Sequence, residues 1–275
     1  MLDSLSVLAD FHNTFHQLLF SVLVCSARLF GVFAVFQPMG SQLLQGRSRS
    51  GFVVLIALFI GAGQSADMLD HITGLDMILL SLKEAFLGLL IGYAAANVFW
   101  IAEGVGALID NVAGYNNVQQ SNPLSSSQST PISSLLLQLC VTVFYMIGGF
   151  LFLLGALFET YRWWPVGSFS PVPAAMLERF ILQQTDTLMT QTLKVAAPVL
   201  VVMVLIDLGF GLVAKTAGKL EPNSLAQPVK SAMAVLVVLL SLSVFVEQLS
   251  DSLSLHDLQE QLRLWAELAK RTSAS

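Results

Sequence analysis

Six runs of apolar side chains divide the chain, at 15–36, 51–63, 77–107, 135–158, 195–213 and 231–249. A helix rises 1.5 Å per residue and the hydrocarbon core of a bilayer is about 30 Å thick, so a span needs about 20 apolar residues. The run 51–63, at 13 residues, is too short. The run 77–107 is long but interrupted by Lys83, Glu84 and Glu103. The pattern predicts an all-α, integral-membrane or membrane-complex protein of about six long hydrophobic helices. A short amphipathic helix is expected over 255–270, with Leu255, Leu258, Leu262, Trp265 and Leu268 near one face.

The polar positions are as informative as the apolar ones. No Asp, Glu, Lys or Arg occurs from Asn111 to Phe158, a stretch of 48 residues. Its first part, 116–138, reads NNVQQSNPLSSSQSTPISSLLLQ, polar yet neutral, and its last part, 135–158, is almost wholly apolar. Gly114, Asn116, Asn117, Pro123 and Pro131 resist a continuous helix. An exposed linker would normally carry charge. Irregular backbone joined directly to membrane-type helices must be buried in protein or line a cavity, because unsatisfied peptide groups cannot face lipid. The loop is therefore expected to act as a constriction or plug in a pore.

Composition narrows the class. The chain has 275 residues, 55% hydrophobic and 11% charged, against about 25% charged in ordinary soluble domains. The net charge of −5 supplies no basic field for nucleic acid. The first basic residue is Arg28, so a positive n-region is missing and no cleavable signal peptide is expected. Cys25 and Cys140 lie inside apolar runs without metal or redox spacing, as buried small hydrophobes do.

Basic residues bias orientation. The end carrying Asp3 and Asp10 has none, the loop after the first run has Arg47 and Arg49, and the loop after the second has Asp67, Asp70 and Asp76. The loop after the fifth run has Lys215, Lys219 and Lys230. This places the N-terminus outside and the first–second and fifth–sixth connections in the cytoplasm.

Small residues and isolated charges mark contacts. Gly88 and Gly92 form a GxxxG step continued by Ala96, and Gly211, Ala214 and Gly218 lie near one stripe. Such faces allow close helix approach, either within the chain or against partner subunits. Arg28, Lys83, Glu84 and Asp207 are candidate buried charges. A charge at bilayer depth costs several kcal/mol, so each is either structurally paired or part of an ion relay. Lys83 and Glu84 are adjacent, about 100° apart on a helix, and are not expected to pair face to face. Asp207, Gly211 and Lys215 share a face, where Asp207 can support a neighbouring helix.

His12 and His16 have a metal-compatible i, i+4 spacing, but nothing nearby completes a site. No GxSxG, Walker loop, HExxH or paired-carboxylate constellation occurs, so no enzyme activity, cofactor or metal is expected. A secondary active transporter of small solutes is the rival class. It calls for an internal repeat and midplane ionisable ligands. No repeat is evident, and the 48-residue neutral stretch supplies no coupling carboxylate.

Several segments resemble one family. They are 26–40 (SARLFGVFAVFQPMG), 83–111 (KEAFLGLLIGYAAANVFWIAEGVGALIDN), the Ser-rich loop 122–138, 157–169 (LFETYRWWPVGSF), 198–215 (PVLVVMVLIDLGFGLVAK) and 224–232 (SLAQPVKSA). Together they resemble the T subunit of the type III secretion export apparatus, a family related to the flagellar FliR protein. Asn122 stands where the family usually has Asp, and Thr160 where injectisome members have Ser. The stretch 157–169 is the most specific match and favours an injectisome over a flagellum. In 215–223, KTAGKLEPN, Gly218 stands where Pro is usual, and Glu221, Pro222 and Asn223 replace Asn-Val-Phe.

The resemblance implies an inner-membrane, multi-pass subunit present as one copy, closing a spiral of R and S subunits through which unfolded effector polypeptides cross. The implied partners are R, S, U and V subunits and membrane lipid, with no nucleic acid. Residues 1–194 would form an R-like part, 195–250 an S-like helical hairpin, and 251–275 a tail. The plug maps onto about 114–131, comprising Gly114, Tyr115, Asn116, Asn117, Gln119, Gln120, Ser121, Asn122, Pro123, Ser125, Ser126, Ser127 and Pro131. The cytoplasmic hairpin loop would carry Lys215, Lys219, Glu221, Pro228 and Lys230. Partner subunits in place of lipid would make the short second run and internal Lys83–Glu84 tolerable.

Overall fold

The computed structural model describes residues 2–39, 46–63, 74–115, 120–121, 128–167, 174–216 and 222–253, together with positions 263, 264 and 267. Among these, the helices are α1 (Leu2–Val35), α2 (Gly46–Ala62), α3 (Gly74–Ala113), α4 (Pro131–Met146), α5 (Gly149–Trp163), α6 (Ala174–Thr216) and α7 (Pro222–Leu253). A 3-10 turn, Gln37–Met39, follows α1, and a two-residue strand pair, β1 (Gln120–Ser121) with β2 (Gln128–Ser129), stands between α3 and α4. Among the described residues four helices are long and apolar enough to cross a membrane, and α4 with α5 makes a fifth candidate as a bent pair.

The helices differ from the six apolar runs in informative ways. The run 135–158 is two helices, bent by 71° at the break. Gly148 takes a left-handed φ of +75° there, which a side chain would strain. The Ile147 amide closes α4 on Val143 O at 3.0 Å, and the Leu151 amide opens α5 on Gly148 O at 2.9 Å. α6 starts well before residue 195, because the polar stretch QQTDTLMTQT continues the helical pattern, and it runs unbroken through 194 and 195. Pro198 lies inside it. α3, at 40 residues, extends about 60 Å and is not broken by its internal charges. Arg47, Arg49 and Asp76 are helical rather than in connecting loops. Asp76 sits in the first turn of α3, where a carboxylate suits the positive helix end. Arg49 donates to Phe33 O in the last turn of α1, a cation on a helix C-terminus. Pro228 and Lys230 likewise belong to α7 rather than to a loop.

Contacts group the chain into two compact units: Met1–Ala96 with Leu153–Met176 and Leu258–Ser275, and Asn97–Phe152 with Leu177–Asp257. In the first, α1 lies along α2 and α3. Ser21 Oγ donates to Gly61 O at 3.2 Å, and the Phe33 and Phe52 rings meet at 6.4 Å. α1 and α3 touch backbone to backbone. A methyl carbon on Gly92 would stand 2.6 Å from Val32 O, one on Gly88 would overlap Arg28 O, and one on Gly31 would overlap Ala85 O. Ala96 is fully buried. The GxxxG step therefore packs within this chain, against a third glycine on α1.

In the second unit, the C-terminal part of α3 packs with α4, α6 and α7. Phe99 and Phe144 meet edge to face at 5.4 Å. A cleft of about 140 Å³ is lined mainly by apolar side chains, among them Val105, Ile109, Pro198, Val238 and Phe245. Burial is uneven: 67% of the apolar stretch of α3 is buried, but only 17% of those of α6 and α7.

Candidate functional site

The neutral loop between α3 and α4 rests on two helix ends. Its α4 end starts at Thr130 and Pro131. Pro suits the first helical position because its missing N–H is one of the amides left without an intrahelical partner. Thr130, at the N-cap, makes no side-chain capping bond. The cap comes instead from α3. Asp110 Oδ2 accepts the amides of Ile132 and Ser133 at 2.9 and 3.0 Å, and Asp110 is fully buried. An acid in the last turn of α3 opposes that helix's own dipole, but it faces the positive end of α4. Gly106 and Ser133 make the contact close: a methyl carbon on Gly106 would overlap the Ser133 backbone, and Ser133 Oγ donates to Glu103 O at 2.9 Å.

Between the two ends the chain doubles back. Gln120 pairs with Ser129 and Ser121 with Gln128 in antiparallel register. The described part of the loop is thus a two-residue antiparallel pair rather than irregular backbone. At its α3 end Gly114 adopts φ +82°, and Tyr115 donates to Ser231 O of α7 at 3.3 Å. Asn116, Asn117, Gln119, Asn122, Pro123, Ser125, Ser126 and Ser127 lie outside the described residues, as do the side chains of Gln120 and Ser121.

The candidate charges of the first unit form one network. Arg28 is fully buried. Its Nε donates to Glu84 Oε2 at 2.6 Å, Nη1 to Thr160 Oγ1 at 3.1 Å and Nη2 to Trp164 O at 2.9 Å. The guanidinium also sits 4.0 Å over the Tyr161 ring, whose hydroxyl donates to Cys25 O at 2.8 Å. Lys83 contradicts the expectation from adjacency: its Nζ lies 2.8 Å from Glu84 Oε1 and donates to Val166 O at 3.2 Å. Four methylenes let the ammonium curl around the helix, which the angle between Cβ directions does not capture. The TYRWWPV segment thus docks on the Arg28–Glu84 pair. Thr160 and Tyr161 both lie in the stretch 157–169 that carries the family resemblance.

The remaining candidates are more open. Asp207 is not buried: its side chain is 46% exposed, and it pairs with Lys230 across the α6–α7 hairpin. A methyl carbon on Gly211 would meet nothing within 4 Å, so this glycine makes no close packing with the described residues. Lys215 stands exposed in the last turn of α6. Gly218, Lys219 and Glu221 lie outside the described residues, as do most of the tail and the side chains of His12 and His16. Sequence reasoning missed the capping role of Asp110, the close approach at Gly31 and Gly106, and Gln227. An acid at the C-terminal end of a helix was the one available signal for Asp110.

Comparison with known proteins agrees with this architecture. Residues 19–255 match the model of the bacterial export proteins, family 1. The chain is 35% identical over 214 residues to the Yop proteins translocation protein T of Yersinia pestis, covering 78% of this chain and 82% of that protein. It is 26% identical over 229 residues to the surface presentation of antigens protein SpaR of Salmonella typhimurium, covering 83% and 85%. It is also 22% identical over 237 residues to the flagellar biosynthetic protein FliR of Bacillus subtilis, covering 84% and 90%. With almost the whole helical region matched, the chain belongs to the bacterial export proteins, family 1.

Proposed function

We propose that this chain is a subunit of a type III protein-export apparatus in the bacterial inner membrane, of the injectisome kind. Family membership and the names of its Yersinia and Salmonella relatives support that reading. In it, one copy closes a spiral of R and S subunits, with U and V subunits nearby, and the α6–α7 hairpin supplies the S-like element. Unfolded effector polypeptides pass through the resulting pore, and loop 114–131 seals it at rest.

The observation that supports the gate reading is a 48-residue charge-free stretch that holds the antiparallel pair 120–121 with 128–129 and departs from helix ends tied by Asp110 and Gln227. Neutral short side chains grip no particular passing sequence. Gating needs closed and open states separated by only a few kcal/mol. No observation favours solute transport, because Lys83 and Glu84 are occupied by each other, Arg28 and Val166 O.

The test is deletion of 119–129, which keeps Asp110, Tyr115 and Pro131. The complex should still assemble but leak small solutes. An assembled complex as tight as wild type would end the gate reading.

A further inference from the structure

The cleft of about 140 Å³ in the second unit has one polar end. On α6 its lining runs from Lys194 to Val199, and on α7 from Phe245 back to Val238, so both sides lead away from Lys194 into apolar helix. Ser241 is the other polar residue of the lining. Its hydroxyl is used within α7, donating to Val237 O at 2.8 Å and Val238 O at 3.2 Å. An apolar cavity of about 150 Å³ takes up a molecule the size of benzene. The cleft therefore fits several methylenes of a hydrocarbon chain.

The chemistry at the polar end is set by Lys194 and Pro198. Lys194 is exposed, and among the described residues no carboxylate pairs with it. Three and four residues away on α6 stand Thr190, Gln191, Ala197 and Pro198, so no acid lies within helical reach. Pro198 has no N–H to give the Lys194 carbonyl. A free cation and a carbonyl without its helical donor thus adjoin an apolar cleft. That combination matches an amphipathic molecule with an anionic head.

The position along the helix narrows the class further. Lys194 directly precedes the apolar run 195–213, whose 19 residues rise about 28 Å, close to the hydrocarbon thickness of a bilayer. A lysine at the end of such a run sits at the level of the lipid headgroups. Val244 lines the cleft and is 58% exposed, so the cleft opens onto the apolar face of the hairpin. An occupant entering through that face is a lipid rather than a water-borne anion.

We propose that this cleft binds an anionic phospholipid, with the headgroup phosphate on Lys194 Nζ and methylenes of one acyl chain between α6 and α7. The inference rests on 195–213 lying in a bilayer and is independent of the gate.

The experiment uses the complete export complex reconstituted in phosphatidylcholine vesicles. These are traced with either phosphatidylglycerol or phosphatidylcholine carrying a photoactivatable acyl chain, and labelled peptides are mapped. The expected result is labelling of 194–199 and 238–245 about fivefold stronger from phosphatidylglycerol, the weight of about 1 kcal/mol per lysine at an anionic headgroup. Lys194→Gln should bring it down to the phosphatidylcholine level, and Lys194→Arg should keep most of it. Val238→Phe, which fills the cleft, should lower labelling from both lipids. Equal labelling by the two lipids in the unaltered complex overturns the inference, because a lysine that only snorkels to water shows no headgroup preference. A preference that survives Lys194→Gln places the headgroup elsewhere and overturns it too. No label in the cleft of the assembled complex means that another subunit fills it, with the same consequence. The two-lipid comparison needs no substitution, so it decides the matter even where a variant fails to assemble.

Discussion

Removing Glu84 should be among the most damaging single substitutions in the chain. Arg28 is fully buried, and Glu84 is the one acid in contact with its guanidinium among the described residues. In Glu84→Ala, Thr160 and the Trp164 carbonyl still accept from Arg28, and the Tyr161 ring still lies beneath it. These are neutral partners. A hydrogen bond contributes about 0.5–1.5 kcal/mol net and a desolvated cation–π contact about 2 kcal/mol. Leaving a buried charge uncompensated costs about 3–5 kcal/mol. The uncompensated charge dominates, and Lys83, which loses its Glu84 contact, adds a second like charge nearby.

The same reasoning predicts non-additivity. Replacing both partners, as Arg28→Leu with Glu84→Leu, removes the charge together with its need for a counter-ion, and such replacements are often close to neutral. The double variant should therefore be more stable than Glu84→Ala alone. The assay is thermal unfolding of the complex in mild detergent, followed by loss of its native mass. For a chain of this size about 4 kcal/mol corresponds to a drop of about 10 °C. A Glu84→Ala shift within a degree or two of wild type, or a double variant showing the sum of the two single losses, would refute the view that this pair is a structural lock.

Three further outcomes follow from the same geometry. Gly88→Ala should lower recovery of the complex, because its methyl group meets the Arg28 backbone rather than a movable side chain, an overpacking cost of about 1–3 kcal/mol. Normal recovery by size-exclusion chromatography would contradict it. Asp110→Ala leaves the Ile132 and Ser133 amides buried without an acceptor and should cost about 1–2 kcal/mol. Proteolysis near α4 should rise with it, and Asp110→Asn should be milder because one acceptor oxygen remains. Asp207→Asn should change stability by less than about 1 kcal/mol, since the pair with Lys230 is partly open to solvent. A large thermal shift there would mean that the hairpin is more enclosed than its exposure indicates.

What the sequence reveals about this fold depends on how far apart in the chain the causes lie. The neutral loop, the long helices and the Gly88–Gly92 face are written in consecutive residues and can be read directly. The Gly148–Gly149 break is also local, yet the surrounding apolar run hides it, because hydropathy does not distinguish one straight span from two bent halves. The caps on the loop are not local. Asp110 reaches across 22 residues to Ile132, and Gln227 across 114 to Ala113. Neither residue stands out by type, because aspartate and glutamine are ordinary in either helix until the partner is known. Gly31 is similar: it lacks a second glycine four residues away, and only the path of α3 shows that its hydrogen is all that fits.

The distribution of burial explains why the polar contacts of the hairpin matter more than their individual strengths suggest. Leu212 of α6 is 69% exposed and Leu240 of α7 is 73% exposed. In water, contiguous apolar area of this kind would drive association. In lipid it would not, because acyl chains are as apolar as leucine, and helix position is then set by close packing and by the few polar groups that find partners. Among the described residues Gly211 makes no close packing, and the polar partners of these two helices are Asp207 with Lys230, Gln227 with Ala113 O, Tyr115 with Ser231 O and the buried pair Asn97 with Gln184. Contacts of about 1 kcal/mol each are too weak to hold the fold together, but they can decide between two positions of a helix that little else constrains. In the α1–α3–α5 core the opposite holds: buried charge and backbone contact at glycine fix one arrangement. Substitutions there should reduce recovery of the complex without changing leak through the complexes that do form.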